Sequence, residues 1–107
     1  MPSRSIRKAR MPDYILSPRA LADLAHIWDT TMEEWGEVQA DHYTDALDAR
    51  CGWLAANPYL GKDRSEVRAG LRSFPQGEHL VFYRIIENNG IEIVAFPYQR
   101  QDLPWAF

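Results

Sequence analysis

The residues best suited to acid–base and phosphate chemistry lie in the second half of this 107-residue chain. Arg72 and Arg84 could clamp a phosphate, and Tyr98 or His79 could transfer a proton. Cleavage of RNA through its 2′-hydroxyl group requires such a proton donor and acceptor, together with cations that stabilise the transition state. A second interpretation gives the two arginines structural roles, because arginine side chains also pair with carboxylates or lay their apolar stems over neighbouring residues.

The small number of lysines and the distribution of charge favour structural roles for Arg72 and Arg84. The chain contains two lysines, Lys8 and Lys62, and neither lies on a predicted strand. Residues 1–12 hold four basic residues and no acid, whereas residues 18–57 hold two bases against eight acids, and the formal net charge is −3. Nucleic-acid binding usually requires a basic face. We therefore expect no catalytic residues of a nuclease and no direct contact with nucleic acid.

Metal, cofactor and nucleophile chemistry also receives little support. The possible metal ligands His26, His42, His79 and Cys51 have spacings that match no zinc pattern. Cys51 falls on the apolar face of a predicted helix, where a thiol is usually inert. We therefore expect no metal and no cofactor. The single cysteine favours a reduced, cytoplasmic setting, and no apolar run approaches the ~20 residues that span a bilayer.

Two predicted helices separate a first strand from the rest of the chain. Residues 14–16 predict that strand, and the following Ser17-Pro18 predicts a helix start with Ser17 as the N-cap. This helix is predicted to end at Gly36. A second amphipathic helix ends before Pro58, because proline disfavours helix in the residue that precedes it. The apolar stripe of the first helix, whose two tryptophans we expect in the core, consists of Leu21, Leu24, Ala25, Trp28, Thr31, Met32 and Trp35.

The second half of the chain predicts a three-stranded antiparallel meander. Residues 74–77 have turn chemistry, and Asn89-Gly90 is a strong hairpin signal between two β-prone runs. Pro97 cannot donate to a ladder, so we expect the last strand to end beside it. The polar stretch 58–70 is predicted to be a loop. The three strands are predicted at roughly residues 71–74, 79–86 and 91–96.

These elements predict an α+β fold in the order β-α-α-β-β-β. An N-terminal strand precedes an antiparallel helix hairpin, which packs on one face of a small antiparallel β-sheet and so buries the apolar surfaces of both layers. Residues 13–107 are expected to form a single domain, because a chain of this length has no room for two cores. Residues 1–12 are expected to be a flexible basic extension.

Several short motifs follow one another in a characteristic order over residues 14–104. They are Leu16-Ser17-Pro18, Ile27-Trp28, Trp35-Gly36, Asn57-Pro58, the run over residues 72–84, Ile91-Glu92-Ile93-Val94 and Gln99-Arg100. In this order and spacing the chain resembles the ParE branch of the ParE/RelE toxins, the toxic halves of bacterial toxin–antitoxin pairs. It departs from that branch in its basic extension, in Pro97-Tyr98, where relatives often have an apolar residue and His, and in its apolar terminus.

The resemblance implies a function but leaves alternatives. Members like RelE cleave messenger RNA on the ribosome, whereas members like ParE poison DNA gyrase and show no nuclease activity. The resemblance to ParE implies a non-enzymatic cytoplasmic protein that inhibits gyrase by binding it and forms a hetero-oligomer with a ParD-like antitoxin. The alternatives are a ribosome-dependent mRNA interferase that uses Arg72, Arg84 and Tyr98, and a degenerate toxin that only binds antitoxin.

The toxin–antitoxin interpretation suggests roles for individual residues. Arg72 and Arg84 are the expected contacts for acidic residues of the antitoxin. The C-terminal region matters for gyrase inhibition in ParE-like toxins, and the expected gyrase-binding residues are Tyr98, Gln99, Arg100, Leu103 and Trp105. The alternative for this region is that Trp105 and Phe107 fold back and seal the sheet.

Overall fold

A computed structural model describes residues 13–87 and 90–100 of the chain. The predicted basic extension over residues 1–12 lies outside the described residues. In chain order the elements are β1 (Tyr14–Leu16), α1 (Pro18–Trp35), α2 (Glu37–Ala56), a 3₁₀ turn (Pro58–Leu60), β2 (Lys62–Asp63), β3 (Leu71–Gln76), β4 (His79–Ile86) and β5 (Gly90–Ala95).

The start of α1 is fixed by a capping residue that also binds the sheet. Ser17 Oγ accepts a hydrogen bond from the amide of Ala20 at 3.0 Å, which satisfies one of the free N–H groups of the first turn. The same hydroxyl donates to the carbonyl of Val94 at 2.8 Å, and the Ser17 amide donates to the carbonyl of Ile93 at 2.9 Å. The helix is therefore attached to β5 through its N-cap residue.

The predicted α+β fold is confirmed, with one difference in the sheet. Its strand order is β1-β5-β4-β3-β2, and consecutive pairs from β2 to β5 are antiparallel. The sheet is nevertheless mixed rather than antiparallel, because β1 lies parallel to β5, with Tyr14 opposite Ile91. The helix hairpin α1–α2 supplies the long connection that a parallel pair requires.

Two details of the meander differ from the prediction. The polar stretch 58–70 contains the short strand β2, which pairs with Arg72 and Ser73 of β3. Strand β3 also continues through Pro75, opposite Leu80, so the turn consists of Gly77 and its neighbour rather than residues 74–77. Proline is tolerated at this point because β2 covers only the first half of β3, which leaves Pro75 on a sheet edge.

The main core lies between the helix hairpin and one face of the sheet. Cys51 is buried there, and burial raises the pKa of its thiol to about 12, which keeps the sulfur protonated at neutral pH. The buried members of this core are Ala20, Ile27, Leu47, Cys51, Leu54, Ala55, Val81, Tyr83, Ile91, Ile93 and Phe96.

The prediction that both helix tryptophans are core residues was wrong for Trp35. This side chain is 71% exposed at the last position of α1. Ile27 is the last buried residue of α1, so the apolar stripe continues beyond the part of the helix that the sheet covers. Trp28 is half-buried, and its indole N–H donates to Asp41 Oδ1 at 2.9 Å.

A buried tyrosine joins the sheet to the segment after α2. The Tyr83 hydroxyl donates to the carbonyl of Pro58 at 2.7 Å and accepts from the amide of Gly61 at 3.0 Å. A Cβ atom at position 61 would lie 2.8 Å from Tyr83 Cε1, closer than non-bonded carbon atoms approach. Glycine at position 61 is therefore required by the close approach of the tyrosine ring.

We expect Gly61→Ala to lower the free energy of unfolding by about 1–3 kcal/mol, because the added methyl group must displace Tyr83 and its two hydrogen bonds. Gly52→Ala is the matched control. Gly52 lies in α2, where a Cβ would meet no heavy atom of the described residues within 4 Å, so this change should raise stability by ~0.5–1 kcal/mol. Urea unfolding of both variants would measure the difference, and equal stability of Gly61→Ala and the unmodified protein would contradict the account.

Candidate functional site

Arg72 lies on β3 and supports the segment that precedes this strand. Its guanidinium carbon is 5.1 Å from the centre of the Tyr59 ring, and Nη1 donates to the carbonyl of Gly61 at 2.9 Å. Arg72 is opposite Tyr83 in the register of β3 and β4, so its side chain leaves the sheet on the face that carries the helix hairpin. The Arg72 guanidinium group therefore binds the segment before β3, although the side chain is only half-buried.

Arg84 lies on the other face of the sheet. It follows Tyr83 on β4, and successive side chains of a strand point to opposite faces. Its Nε donates to Glu92 Oε1 on β5 at 2.7 Å, and half of the Arg84 side chain remains exposed. Such a partly exposed pair contributes little to stability and can exchange partners.

Tyr98 lies at the opposite end of β4 from Arg84. Its ring stacks on the ring of His79, the first residue of β4, with centroids 4.3 Å apart and planes at 29°. Five residues along a strand correspond to about 16 Å at ~3.3 Å per residue. The structure therefore does not bring Arg72, Arg84 and Tyr98, the three residues of the RNase alternative, together at one site.

Residues 97–100 continue beyond β5 and pair with the start of β4. The amide of Leu80 donates to the carbonyl of Pro97 at 2.8 Å, and the amide of Gln99 donates to the carbonyl of Glu78 at 2.9 Å. The Gln99 side chain also donates to the carbonyl of Gly77 at 2.8 Å. Although Pro97 follows the end of regular β5, residues 97–100 (hereafter segment 97–100) thus remain attached to the sheet by backbone hydrogen bonds.

The two ends of this segment differ in exposure. Pro97 is buried, Tyr98 is 39% exposed, and Gln99 is exposed. The Arg100 side chain is 86% exposed and lies 3.8 Å from a carboxylate oxygen of Glu78. Leu103 and Trp105, the other two residues predicted to bind gyrase, lie outside the described residues.

A histidine and a second tyrosine lie beneath Tyr98. His79 is 4% exposed, and its Nδ1 shares a hydrogen bond of 2.6 Å with the hydroxyl of Tyr43 on α2. The Tyr43 hydroxyl also accepts a hydrogen bond of 2.9 Å from the amide of Glu78. Tyr43, His79 and Tyr98 together are called the Tyr43–His79–Tyr98 cluster below.

Burial shifts the pKa of two members of this cluster, His79 and Tyr43, in the direction that favours the uncharged form. It lowers the pKa of His79, although the nearby carboxylates of Glu78 and Asp23 act in the opposite direction. Burial likewise raises the pKa of Tyr43, against the hydrogen bond from the amide of Glu78. The cluster is held together by ring contacts and by the hydrogen bonds of the Tyr43 hydroxyl.

Sequence reasoning identified His79 and Tyr98 separately but missed Tyr43. The only signal for Tyr43 is its place in the second amphipathic helix, at helical spacing from Leu47 and Leu54, which predicts a core residue. A buried tyrosine hydroxyl normally finds a polar partner, but the sequence does not reveal which one. Here that partner comes from a strand 36 residues further along the chain.

A groove opens beside the cluster, between the end of the helix hairpin and Tyr98. Its volume is about 520 Å³. Two carboxylates and several aromatic rings line it, and the exposed side chains of Met32 and Val38 belong to the same hairpin end. The lining residues are Thr30, Thr31, Glu34, Trp35, Gln39, Tyr43, Glu78, His79 and Tyr98.

Among residues 13–87 and 90–100, no three His, Cys, Asp or Glu side chains lie close enough to hold a metal ion together. No helix in the same part of the chain combines the length and apolar character needed to cross a bilayer.

Known proteins share both the sequence pattern and the fold. A family model described as the ParE toxin of the type II toxin–antitoxin system parDE matches residues 14–103. Toxin ParE1 of Mycobacterium tuberculosis is 40% identical over 90 residues, which cover 84% of this chain and 92% of that protein. Toxin ParE of Escherichia coli is 36% identical over 93 residues, which cover 87% of this chain and 90% of the relative.

A third relative and a solved structure are also similar to this chain. Toxin ParE1 of Caulobacter vibrioides is 41% identical over 75 residues, which cover 70% of this chain and 78% of that protein. A chain from the structure of the chromosomal ParDE TA system of P. aeruginosa superposes with a TM-score of 0.67 at 18% identity. This superposition covers 85% of the present chain and 98% of the other, and it shows a shared fold. With the family model matching most of its length, this chain belongs to the ParE toxin family of type II toxin–antitoxin systems.

Proposed function

We propose that this ParE-family toxin acts in the cytoplasm by binding DNA gyrase and inhibiting it, without catalysing a reaction of its own. The observation that carries the proposal is the separation of Arg72, Arg84 and Tyr98. Arg72 binds backbone carbonyls on the helix side of the sheet, Arg84 pairs with Glu92 on the opposite face, and Tyr98 stacks on His79 at the far end of β4. Phosphoryl-transfer chemistry on RNA requires its acid, base and cation around one phosphate.

Segment 97–100 is the proposed start of the gyrase contact. Its side chains at Tyr98, Gln99 and Arg100 are exposed while its backbone is attached to β4, so the segment presents polar and aromatic groups from a fixed position. Ordered, exposed aromatic and arginine side chains are the types that contribute most to protein interfaces. Leu103 and Trp105 are proposed as the apolar part of the same contact.

The proposed neutralising partner is a ParD-like antitoxin that forms a hetero-oligomer with the toxin. Large apolar side chains at Met32, Trp35 and Val38 are exposed at the end of the helix hairpin, next to the groove. Exposed apolar patches of this kind often mark protein interfaces, and an amphipathic helix in a groove is a recurring way to cover them. Arg72 and Arg84 are the proposed contacts for acidic residues of the antitoxin.

Inhibition of gyrase, as proposed, predicts the results of two parallel assays with the purified full-length protein. It should inhibit supercoiling by gyrase and trap cleaved, gyrase-bound DNA, and a ParD-like antitoxin should restore supercoiling. The same preparation should leave messenger RNA intact on translating ribosomes. Ribosome-dependent cleavage of the message would identify the mRNA interferase instead, and inactivity in both assays with retained antitoxin binding would identify the degenerate toxin.

A separate prediction concerns antitoxin binding. Arg84→Ala should weaken the complex about fivefold, because a partly exposed ion pair across an interface is worth up to ~1 kcal/mol. Lys62→Ala makes the same change of charge at an exposed position of β2 and should leave affinity unchanged, as should deletion of residues 1–12. Calorimetric titration of the full chain with antitoxin would measure all three. Loss of binding on deletion of residues 1–12 would place the interface on the basic extension instead.

A further inference from the structure

Segment 97–100 is attached to the domain mainly through two short elements, the start of β4 and the turn before it. Its backbone hydrogen bonds go to Leu80 and Glu78, and the Gln99 side chain binds the carbonyl of Gly77. The ion pair between Arg100 and Glu78 is long and exposed, so it contributes little. The position of the segment therefore depends on what holds the turn and His79 in place.

Tyr43 connects this turn to the helix hairpin. Its single hydroxyl binds both the Glu78 amide and His79 Nδ1, at 2.9 and 2.6 Å. Gly77 lies directly against the tyrosine, since a Cβ at position 77 would be 2.7 Å from the Tyr43 hydroxyl. Gly77 also has a φ of +60°, which few other residues adopt without strain. The turn is thus shaped around Tyr43.

His79 links Tyr43 to segment 97–100 through contacts between aromatic rings. Tyr43 contacts one side of the imidazole ring edge-on, with centroids 5.5 Å apart, while Tyr98 stacks on the ring at 4.3 Å. His79 and Tyr98 are also opposite each other as an isolated antiparallel bridge. The exposed ring of Tyr98 is therefore oriented by a buried histidine, which is in turn oriented by Tyr43.

We propose that Tyr43 and His79 are positioning residues, which hold segment 97–100 against β4 in the conformation that the toxin uses to bind its target. The identification of that target as gyrase rests on the proposed function above. Neither residue needs to touch the target, because His79 is buried and Tyr43 acts through its hydrogen bonds with the turn and the histidine.

The chain contains a matched control for removal of the Tyr43 hydroxyl. Tyr83 also accepts a hydrogen bond from a backbone amide and donates to a second partner, but it does so in the segment before β3. Tyr43→Phe and Tyr83→Phe each delete one hydroxyl, that of the half-buried Tyr43 or that of the buried Tyr83, and each leaves two polar groups without that partner. Tyr83→Phe should lose at least as much global stability as Tyr43→Phe, because its hydrogen bonds are more deeply buried, but only Tyr43→Phe should release segment 97–100.

Limited digestion with trypsin measures this release without any assay of activity. Cleavage after Arg100 removes residues 101–107, a loss that mass spectrometry detects directly. Cleavage after Arg68, in the stretch between β2 and β3, serves as the reference within the same molecule. Proteases require a locally extended chain, so the ratio of the two rates reports how often residues 97–100 leave β4.

We expect Tyr43→Phe to raise the ratio of Arg100 to Arg68 cleavage about fivefold, equivalent to ~1 kcal/mol, and Tyr83→Phe to leave it unchanged. His79→Gln can still share a hydrogen bond with Tyr43 but offers no ring to Tyr98, and it should also raise the ratio. Equal ratios for the two phenylalanine variants would overturn the proposal, as would cleavage of the unmodified protein after Arg100 as fast as after Arg68.

Gyrase supercoiling assays on the same proteins provide the second measurement. The concentration of Tyr43→Phe needed for half-inhibition should rise by the same factor as its cleavage ratio, whereas that of Tyr83→Phe should not. Unchanged inhibition by a Tyr43→Phe protein whose segment is released would overturn the positioning role. If the unmodified protein leaves gyrase unaffected, the proposed target fails, and the cleavage ratios alone decide whether Tyr43 and His79 hold the segment.

Discussion

The burial of β4 on both of its faces is the constraint on which the rest of the structure depends. Residues 79–83 are all buried, with alternate side chains directed to the helix hairpin and to the opposite face of the sheet. Val81 and Tyr83 belong to the main core, while Leu80 and Phe82 belong to a second apolar cluster. A strand covered in this way has one acceptable register, since a shift of one residue would exchange the two sets of side chains. The neighbouring strands and segment 97–100 then take their positions from β4.

Most of the fold could be predicted because its signals are local. Ser17 caps α1, Gly36 separates the helices with a φ of +94°, and the run that forms β4 begins and ends at the predicted residues. The failures have non-local causes. The two-residue strand β2 exists only because β3 offers it an edge, and Trp35 is exposed because the sheet does not extend beneath the end of α1.

The candidate site was less accessible to sequence reasoning than the fold. Gln99 and Arg100 were selected by resemblance, and Tyr98 as part of the same C-terminal region, but their attachment to β4 depends on backbone hydrogen bonds that residue types do not encode. Arg72 and Arg84 looked like a pair in the sequence, although alternation along adjacent strands directs them to opposite faces. The acidic character of residues 18–57 and the near absence of lysine, by contrast, could be read directly and agree with a protein that acts through protein contacts.

Hydrogen exchange of the toxin with and without gyrase tests the central claim, that the toxin binds its target through segment 97–100 and the residues after it. Deuterium uptake would be followed by mass spectrometry on peptides that cover the whole chain. Gyrase is expected to slow exchange in peptides from residues 97–107, while peptides carrying β2 and the first half of β3 exchange at their original rates. Slowed exchange around Arg72 with no change after residue 97, or no change anywhere in the chain, would contradict the claim.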